Sequence, residues 1–219
     1  MVERTEKSGS LPIEDEMEAV YRDVDPYRYV VSGRQHVTAG FVRNLLLTRE
    51  KDALSFLELA SGEGALTEAV YSALSGFYFD YTGVDVCQTS LDRALKKGFQ
   101  NFTSVKQDLS LPTWDFGSKD VIIASDVLPY LSLEDGYSLI QRCWSNLRPR
   151  GILVLTTWFS FLSEDCLDEP HFRYLPIFSD SGSVQATMKW RGFALGTLNG
   201  KPPCLYPTGG SYMAARKNG

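Results

Sequence analysis

Residues 56–67, FLELASGEGALT, decide the fold because they join three structural signals without a break. The run FLELA predicts a buried β-strand, SGEG predicts a tight turn, and ALT begins an amphipathic helix. Gly62 and Gly64 would let a ligand approach the backbone closely, and a helix that begins directly after the turn presents free amide groups. The stretch therefore indicates either a ligand-binding strand–turn–helix unit or a plain connection rich in glycine.

The alternation of strands and helices continues along the chain. Apolar runs predict strands at 54–60, 79–84, 102–106, 121–125 and 152–157, and amphipathic runs predict helices at 65–74, 89–97 and 134–147. Strands such as VIIAS and ILVLT are apolar on both faces, as buried parallel strands are. We therefore predict an α/β fold, a Rossmann-like doubly wound and mostly parallel sheet. A final run at 210–217, with no helix before it, predicts an antiparallel C-terminal edge strand.

We divide the chain into three segments. Residues 1–12 are polar and are expected to form a disordered tail. Residues 13–50 predict an N-terminal helical segment, with helices at 14–22 and 35–48. Residues 51–219 then hold one core domain, since no linker separates a second one.

Composition excludes several classes of protein. The 219 residues carry 22 Lys and Arg against 27 Asp and Glu, a net charge of −5, which argues against nucleic acid as a partner. No apolar run reaches the roughly 18–20 residues that span a bilayer, and the N-terminus lacks the apolar core of a secretory signal. The four cysteines are widely spaced, which predicts reduced thiols and no metal site. We therefore expect a cytoplasmic protein without a membrane partner.

Three acidic residues, here called the strand-end acids, follow successive predicted strands: Asp85, Asp108 and Asp126. Asp85 lies about 20 residues after the glycine-rich turn, where a carboxylate can accept both hydroxyls of a ribose. Asp108 is placed to accept from an adenine amino group, with Leu109 against the ring. Two of the acids also have a plainer explanation, since Asp85 would suit a helix cap or a solvated loop and Asp108 a turn. Because the carboxyl ends of parallel strands share one crevice, the coincidence of three favours a binding site.

From about residue 54 to 217 the chain resembles the class I S-adenosylmethionine-dependent methyltransferases. ELASGEG (58–64) matches their first motif, Asp85 the ribose acid, Asp108-Leu109 the adenine motif, 126–128 the segment after the fourth strand, and 147–154 the entry to the fifth. The resemblance implies a seven-stranded core, S-adenosylmethionine as cofactor and S-adenosylhomocysteine as product. It implies these cofactor-binding residues: Tyr29, Arg34, Glu58, Ala60, Ser61, Gly62, Gly64, Asp85, Val86, Asp108, Leu109, Asp126 and Val127. Ala60 departs from the usual glycine, and we expect that this position does not need a positive φ.

A finer resemblance concerns the N-terminal segment. DPYRY (25–29) with Ser32 and Arg34-Gln35, together with residues 124–131 and Thr157-Trp158, is similar to the NodS-like subgroup of these enzymes. The resemblance implies that residues 13–50 form a lid, in which Tyr29 and Arg34 close over the methionine end of the cofactor. The subgroup's namesake methylates the amino nitrogen of a chitooligosaccharide precursor. Residues 159–183 match nothing that would identify an acceptor.

Methyl transfer from a sulfonium needs mainly proximity and alignment. Asp126 and Tyr130 are our candidate catalytic residues, because either could orient the nucleophile or accept its proton. Many relatives have a histidine near Pro129-Tyr130, and it is absent here. Candidate substrate contacts are His36, Tyr130, Trp158 and His171. A surface or packing role is the plainer explanation of the two histidines, and Trp158 also suits core packing.

The expected function is methyl transfer to a nitrogen or oxygen of a small molecule, such as an amino sugar or a secondary metabolite. A second hypothesis is an NAD(P)-linked oxidoreductase, since a glycine-rich turn followed by an acid fits both. The sequence does not complete the Gly-x-Gly-x-x-Gly pattern of that class, because Thr67 stands in place of the third glycine after Gly62 and Gly64, and Ala60 is not glycine either. A third hypothesis is a catalytically silent cofactor-binding domain that acts through a protein partner.

Overall fold

The computed structural model describes residues 15, 18, 28–47, 53–111, 114–159, 182–196 and 204–218. The strands are β1 Leu54–Leu59, β2 Phe79–Asp85, β3 Phe102–Lys106, β4 Lys119–Ser125, β5 Leu147–Phe159, β6 Gly182–Gly196 and β7 Cys204–Lys217. The helices are α1 Arg28–Leu46, α2 Ala65–Ala73, α3 Gln88–Lys96 and α4 Leu133–Asn146, with a 3₁₀ turn at Leu128–Tyr130.

The strands form one seven-stranded sheet in the order β3-β2-β1-β4-β5-β7-β6. Strands β1 to β5 are parallel, and β7 is antiparallel to both of its neighbours. The predicted doubly wound, mostly parallel sheet is therefore confirmed. One detail differs, because the C-terminal strand β7 lies between β5 and β6, and β6 forms the edge. The chain reaches this arrangement because β6 and β7 pair as neighbours and only β7 also pairs with β5.

Each face of the sheet carries its own hydrophobic cluster. Side chains on one face, such as Leu57, Ile122 and Leu153, pack with α4. The neighbouring residues of the same strands, such as Phe56 and Ile123, point to the other face and pack with α1 and α2. Helices cover both faces, which explains why the central strands β4 and β5 carry buried apolar side chains on both faces.

Two boundaries differ from the sequence prediction. Strand β5 begins at Leu147, earlier than predicted, because Leu147 pairs with Lys119 at the start of β4. The register shifts between that pair and the next, and Arg150 adopts φ 64° there. Helix α1 begins at Arg28 and so extends further toward the N-terminus than predicted. The predicted tail at 1–12 lies outside the described residues, and the division into lid and core stays a prediction.

The direction in which successive strands are added to the sheet reverses at β1. The chain moves outward from β1 through β2 to β3 and then returns to β4 on the other side of β1. Open parallel sheets bind ligands in the crevice beyond the carboxyl ends of the strands at such a switch point. A ligand site is therefore expected at the segments that follow β1 and β4.

Candidate functional site at the carboxyl ends of the strands

The glycine-rich turn joins β1 to α2 in a tight, internally bonded path. The Ser61 amide donates to the Val84 carbonyl at 2.9 Å, and the Gly64 amide donates to the Ser61 carbonyl at 3.0 Å. Gly62 and Gly64 have φ of 52° and 73°. A Cβ at Gly62 would meet no atom within 4 Å, so the turn faces open space at that point. The backbone is therefore accessible to a ligand there.

Ala60 also adopts a left-handed conformation, with φ 59°. Our expectation that this position does not need a positive φ was wrong. The chain must leave β1 and reverse into α2 within a few residues, and that path imposes the conformation. The cost for a residue with a Cβ is roughly 1–2 kcal/mol. The Ala60 methyl group packs against the cluster on the α4 face, which offsets part of it.

Asp85 connects the turn to the end of β2. Its Oδ2 accepts from the Gly62 amide at 2.8 Å, and its Oδ1 accepts from the Cys87 amide at 2.9 Å, directly before α3. Burial raises the pKa of Asp85, while the hydrogen bonds from the two amides act in the opposite direction. Each carboxylate oxygen keeps a further lone pair, so the pair can still accept two hydroxyl groups. Asp85 thus supports the adjoining helix start and remains a candidate ribose acceptor.

Glu58 lies inside the core, with 1% of its surface exposed. Its Oε2 accepts from the Tyr81 hydroxyl at 2.6 Å and from the Thr67 hydroxyl at 2.7 Å. Burial raises the pKa of Glu58 to about 7, although both hydroxyls act to lower it. These contacts join β1, β2 and α2, so Glu58 organises the turn from within. Tyr81 was not among the predicted site residues, although a carboxylate in an apolar strand indicates that internal donors must be present.

Asp108 follows β3 and forms a turn with Ser110. Asp108 Oδ1 accepts from the Ser110 amide at 2.9 Å and from the Ser110 hydroxyl at 2.7 Å. The plainer explanation of Asp108 as a turn former is therefore correct for Oδ1. Leu109 is only 6% exposed and belongs to the cluster on the α4 face. Its position as a contact of an adenine ring stays a prediction.

Asp126 directly follows β4 and adopts a left-handed conformation, with φ 55°. Its amide donates to the Thr156 carbonyl at 2.9 Å, which fixes the residue against β5. The Thr156 hydroxyl donates to Ser125 Oγ at 3.0 Å, and Ser125 Oγ lies 3.4 Å from Asp126 Oδ2. Val127 is buried, whereas Tyr130 is 41% exposed in the 3₁₀ turn. Backbone strain in a non-glycine residue at a crevice is typical of functional positions.

Strand pairing brings the turn and the strand-end acids to one edge of the sheet. Leu59 pairs with Val84 on one side and with Ala124 on the other, and Asp85 pairs with Lys106. The residues that follow these pairs are the glycine-rich turn and the three acids. The turn and the three acids therefore lie at the same edge of the sheet, and their role in binding stays a prediction.

For other predicted contacts the structure describes the backbone but not the side chain, or neither. Tyr29 and Arg34 lie in α1 and Trp158 lies in β5, but their side chains are outside the description, and His171 is outside it altogether. His36 is exposed on α1. Among the described residues no cluster of His, Cys, Asp or Glu could hold a metal ion. Within the same residues no helix is long and apolar enough to cross a membrane.

A contact from the N-terminal segment, missed by sequence analysis, reaches the crevice. The Thr89 amide donates to Glu18 Oε1 at 3.2 Å, and the Thr89 hydroxyl donates to Glu18 Oε2. Thr89 lies in the first turn of α3, close to Asp85. No local pattern predicts this contact, because 71 residues separate its partners.

Comparison with known proteins points to one family. Residues 57–155 match the family model described as a methyltransferase domain. A phosphoethanolamine N-methyltransferase of Plasmodium falciparum is 26% identical over 158 residues, which are 71% of this chain and 57% of that protein. The chain thus spans little more than half the length of this relative.

Solved structures match over nearly the whole chain. Magnesium protoporphyrin IX methyltransferase from Synechocystis, with bound S-adenosylmethionine, superimposes with a TM-score of 0.64 at 17% identity, covering 96% of this chain and 99% of that one. The N-methyltransferase NodS from Bradyrhizobium japonicum, in complex with S-adenosylhomocysteine, superimposes with a TM-score of 0.62 at 20% identity, covering 92% and 95%. At these identities the likeness shows the fold.

Proposed function

We propose that this chain, a class I S-adenosylmethionine-dependent methyltransferase, transfers the methyl group to a nitrogen or oxygen of a small molecule, and to an amine in preference. The observation that carries the proposal is Asp126, which is held in a left-handed conformation at the crevice by its bond to Thr156. A carboxylate in that place suits a nucleophile that bears a proton to be lost. An amine is such a nucleophile and needs no strong base once it is neutral.

The residues present fit the cofactor. Asp85 keeps lone pairs for two hydroxyls, and the backbone at Gly62 faces open space. Ser61 Oγ is buried and has no hydrogen-bond partner among the described residues, as expected of a group whose partner is a ligand or water. We assign the ribose to Asp85, the adenine to Asp108 and Leu109, and the methionine part to the glycine-rich turn. S-adenosylmethionine supplies an electrophilic methyl group when it is bound.

The chain's own contribution is alignment and removal of a proton. Asp126 would orient the acceptor nitrogen and take up the proton that the methylated amine releases, and Tyr130 would hydrogen-bond the acceptor at the crevice mouth. A strong base is unnecessary for an amine, which agrees with the absence of a histidine at Pro129-Tyr130. The strand-end acids also favour a neutral or cationic acceptor over an anionic one.

Two similar proteins named as N-methyltransferases support nitrogen as the acceptor atom, and one of them is named for phosphoethanolamine. An amino alcohol or an amino sugar would be our first choice of substrate class. The oxidoreductase alternative gains no support, because Thr67 donates its hydroxyl to Glu58 where a dinucleotide motif needs glycine.

The test is transfer of a labelled methyl group to a panel containing phosphoethanolamine, glucosamine, phenol and catechol. We expect turnover of an amine, and we expect Asp126→Asn to lower kcat about 100-fold at saturating cofactor. Asp115→Asn is the matched control, because Asp115 is exposed and its Oδ1 accepts from the nearby Gly117 amide.

The outcomes separate the hypotheses. Turnover of phenols alone would assign oxygen. Cofactor binding without any turnover would favour the catalytically silent domain. No binding of S-adenosylhomocysteine, with binding of NAD, would overturn the assignment of the cofactor.

A further inference from the structure

The turn that follows β3 is held in place by a side chain from α4. Gln107 is still tied to β2, since its amide donates to the Asp85 carbonyl at 2.9 Å. Beyond it, the side-chain bonds of Asp108 end on Ser110, inside the turn itself. The position of this turn relative to the sheet must therefore be set by other contacts.

Leu109 packs in the cluster on the α4 face, and Arg142 supplies polar contacts to the same turn. Its Nη2 donates to the Leu109 carbonyl at 3.1 Å, and its Nη1 donates to the Leu111 carbonyl. Its Nε donates to the Ser138 carbonyl of its own helix at 3.3 Å, which fixes the plane of the guanidinium group. One side chain thus binds two carbonyls of the turn while its third donor anchors it to α4.

The face of the same guanidinium group packs on Trp114. The guanidinium carbon lies 4.8 Å from the centre of the Trp114 ring, and that ring stacks on Phe116 with centroids 5.2 Å apart. Trp114 is 6% exposed, and its indole Nε1 has no hydrogen-bond partner among the described residues. Arg142 therefore joins the segment before residues 112–113 to the segment after them, and a buried donor beside it is left for a ligand or a water.

A flat guanidinium group is suited to this task, because it can donate in its plane and stack on its face at once. A lysine would offer a single point charge on a flexible chain. It could bind one carbonyl, but it could not bind both and stack on the indole.

We propose that Arg142 is a positioning residue for the nucleobase, which sets the affinity and the base selectivity of the cofactor site by holding the turn that carries Asp108 and Leu109. This inference rests on the assignment of those two residues to the adenine. Arg142 acts through the turn and not by contact with the reacting atoms, so the rate at saturating cofactor should not depend on it.

The experiment compares binding of S-adenosylhomocysteine with binding of its analogue in which hypoxanthine replaces adenine. Titration calorimetry on the full chain should show that Arg142→Met weakens binding of S-adenosylhomocysteine about tenfold and binding of the analogue by clearly less. Arg142→Lys should fall between the wild type and Arg142→Met. With saturating cofactor, kcat should stay within about twofold of the wild type.

Arg148→Met is the matched control. Arg148 forms an ion pair with Asp120 at 2.9 Å, and both residues lie near the amino ends of β4 and β5, away from the crevice. The control should leave both affinities and their ratio unchanged.

Unchanged affinity in Arg142→Met, or equal weakening for both ligands, would overturn the inference, because a general loosening of the domain does not change base selectivity. If Arg142→Met does not fold, Arg142→Lys decides by the same criterion. Wild-type protein that binds neither ligand would instead contradict the proposed function.

Discussion

The Tyr81 hydroxyl donates to Glu58 Oε2 at 2.6 Å inside the core, and the Thr67 hydroxyl donates to the same oxygen. Both groups that donate to this buried carboxyl group are hydroxyls, which carry no charge. Burial consequently raises the pKa of Glu58 from 4.5 to about 7. Thr67 lies in the helix that begins directly after the glycine-rich turn, so the protonation of Glu58 bears on the stability of the site.

Stability should depend on pH through Glu58. The folded state holds the proton more tightly than the unfolded state, so this contribution is fully present below pH 4.5 and is lost as the pH rises through about 7. By pH 8 the loss amounts to on the order of 3 kcal/mol, and Glu58→Gln should not suffer it. Urea unfolding from pH 5 to pH 8 measures the difference. Glu134→Gln, at an exposed position, is the control. A difference in the free energy of unfolding between Glu58→Gln and the wild type that does not vary with pH would contradict the prediction.

Asp85→Asn should weaken the binding of S-adenosylhomocysteine by more than about tenfold, since a charged acceptor of hydroxyl groups is replaced by a neutral amide. The Asn oxygen can keep only one of the two bonds from the Gly62 and Cys87 amides. Titration calorimetry gives the affinity, and thermal unfolding shows whether the turn survives. Asp92→Asn, on the exposed side of α3, should bind like the wild type. Full affinity in Asp85→Asn would mean that the ribose is bound elsewhere.

Much of the fold follows from local patterns. The five parallel strands were predicted from short apolar runs, and two of these runs, at 121–125 and 152–157, are apolar on both faces, as in a sheet covered by helices on both sides. The place of β7 between β5 and β6 could not be predicted. β5 and β7 are distant in sequence, and the composition of a strand does not reveal which distant strand it pairs with. The early start of β5 has the same origin, because Leu147 joins the sheet through Lys119.

The candidate site divides in the same way. Its acids were predictable from their places after successive strands, and they do meet at one edge. The left-handed conformation of Ala60 was not predictable, because residue type alone does not reveal the path that the backbone must take. The bonds of Glu58 to Tyr81 and of Glu18 to Thr89 were not either, because they join residues that are distant in sequence.

Gly83→Ala should damage the site from behind the turn. A Cβ at Gly83 would lie 2.9 Å from Phe102 Cζ and 2.9 Å from Ser61 Oγ. Overpacking of this kind costs about 1–3 kcal/mol, and relief requires movement of Ser61 within the glycine-rich turn. Gly40→Ala is the matched control, because a Cβ there meets nothing within 4 Å and lies in α1, where it should stabilise by up to about 1 kcal/mol. The free energy of unfolding, measured in urea, and the cofactor affinity should both fall for Gly83→Ala. Equal stability of the two variants would refute the prediction.

Ala60→Gly should raise the free energy of unfolding by up to about 1 kcal/mol, since relief of the left-handed conformation outweighs the greater freedom of glycine in the unfolded chain. Ala69→Gly, within α2, should instead lower it by about 1 kcal/mol. Urea unfolding of both variants tests the sign. A destabilised Ala60→Gly would show that the packing of the Ala60 methyl group outweighs the strain.

Glu18→Gln should loosen the contact between the N-terminal segment and the core. Glu18 accepts from the amide and the hydroxyl of Thr89 in the first turn of α3, where the helix needs acceptors. The Thr89 hydroxyl holds the pKa of Glu18 below its usual value, so the contact is present above pH 4.5 and is lost as the pH falls through the lowered pKa. We expect a loss of about 1 kcal/mol near neutral pH, as for the removal of a helix cap.

Exchange of the Thr89 amide hydrogen measures this contact directly. It should be faster in Glu18→Gln than in the wild type at pH 7 and equal in the two proteins at low pH. Asp15→Asn, at an exposed position of the same segment, should leave it unchanged. Thr89→Val should remove most of the effect of Glu18→Gln in a double-mutant cycle, since only the amide bond then remains. If Thr89 exchanges at the same rate with and without the Glu18 carboxylate at pH 7, the N-terminal segment is not held to the crevice by this pair, and the predicted lid must be attached through other residues.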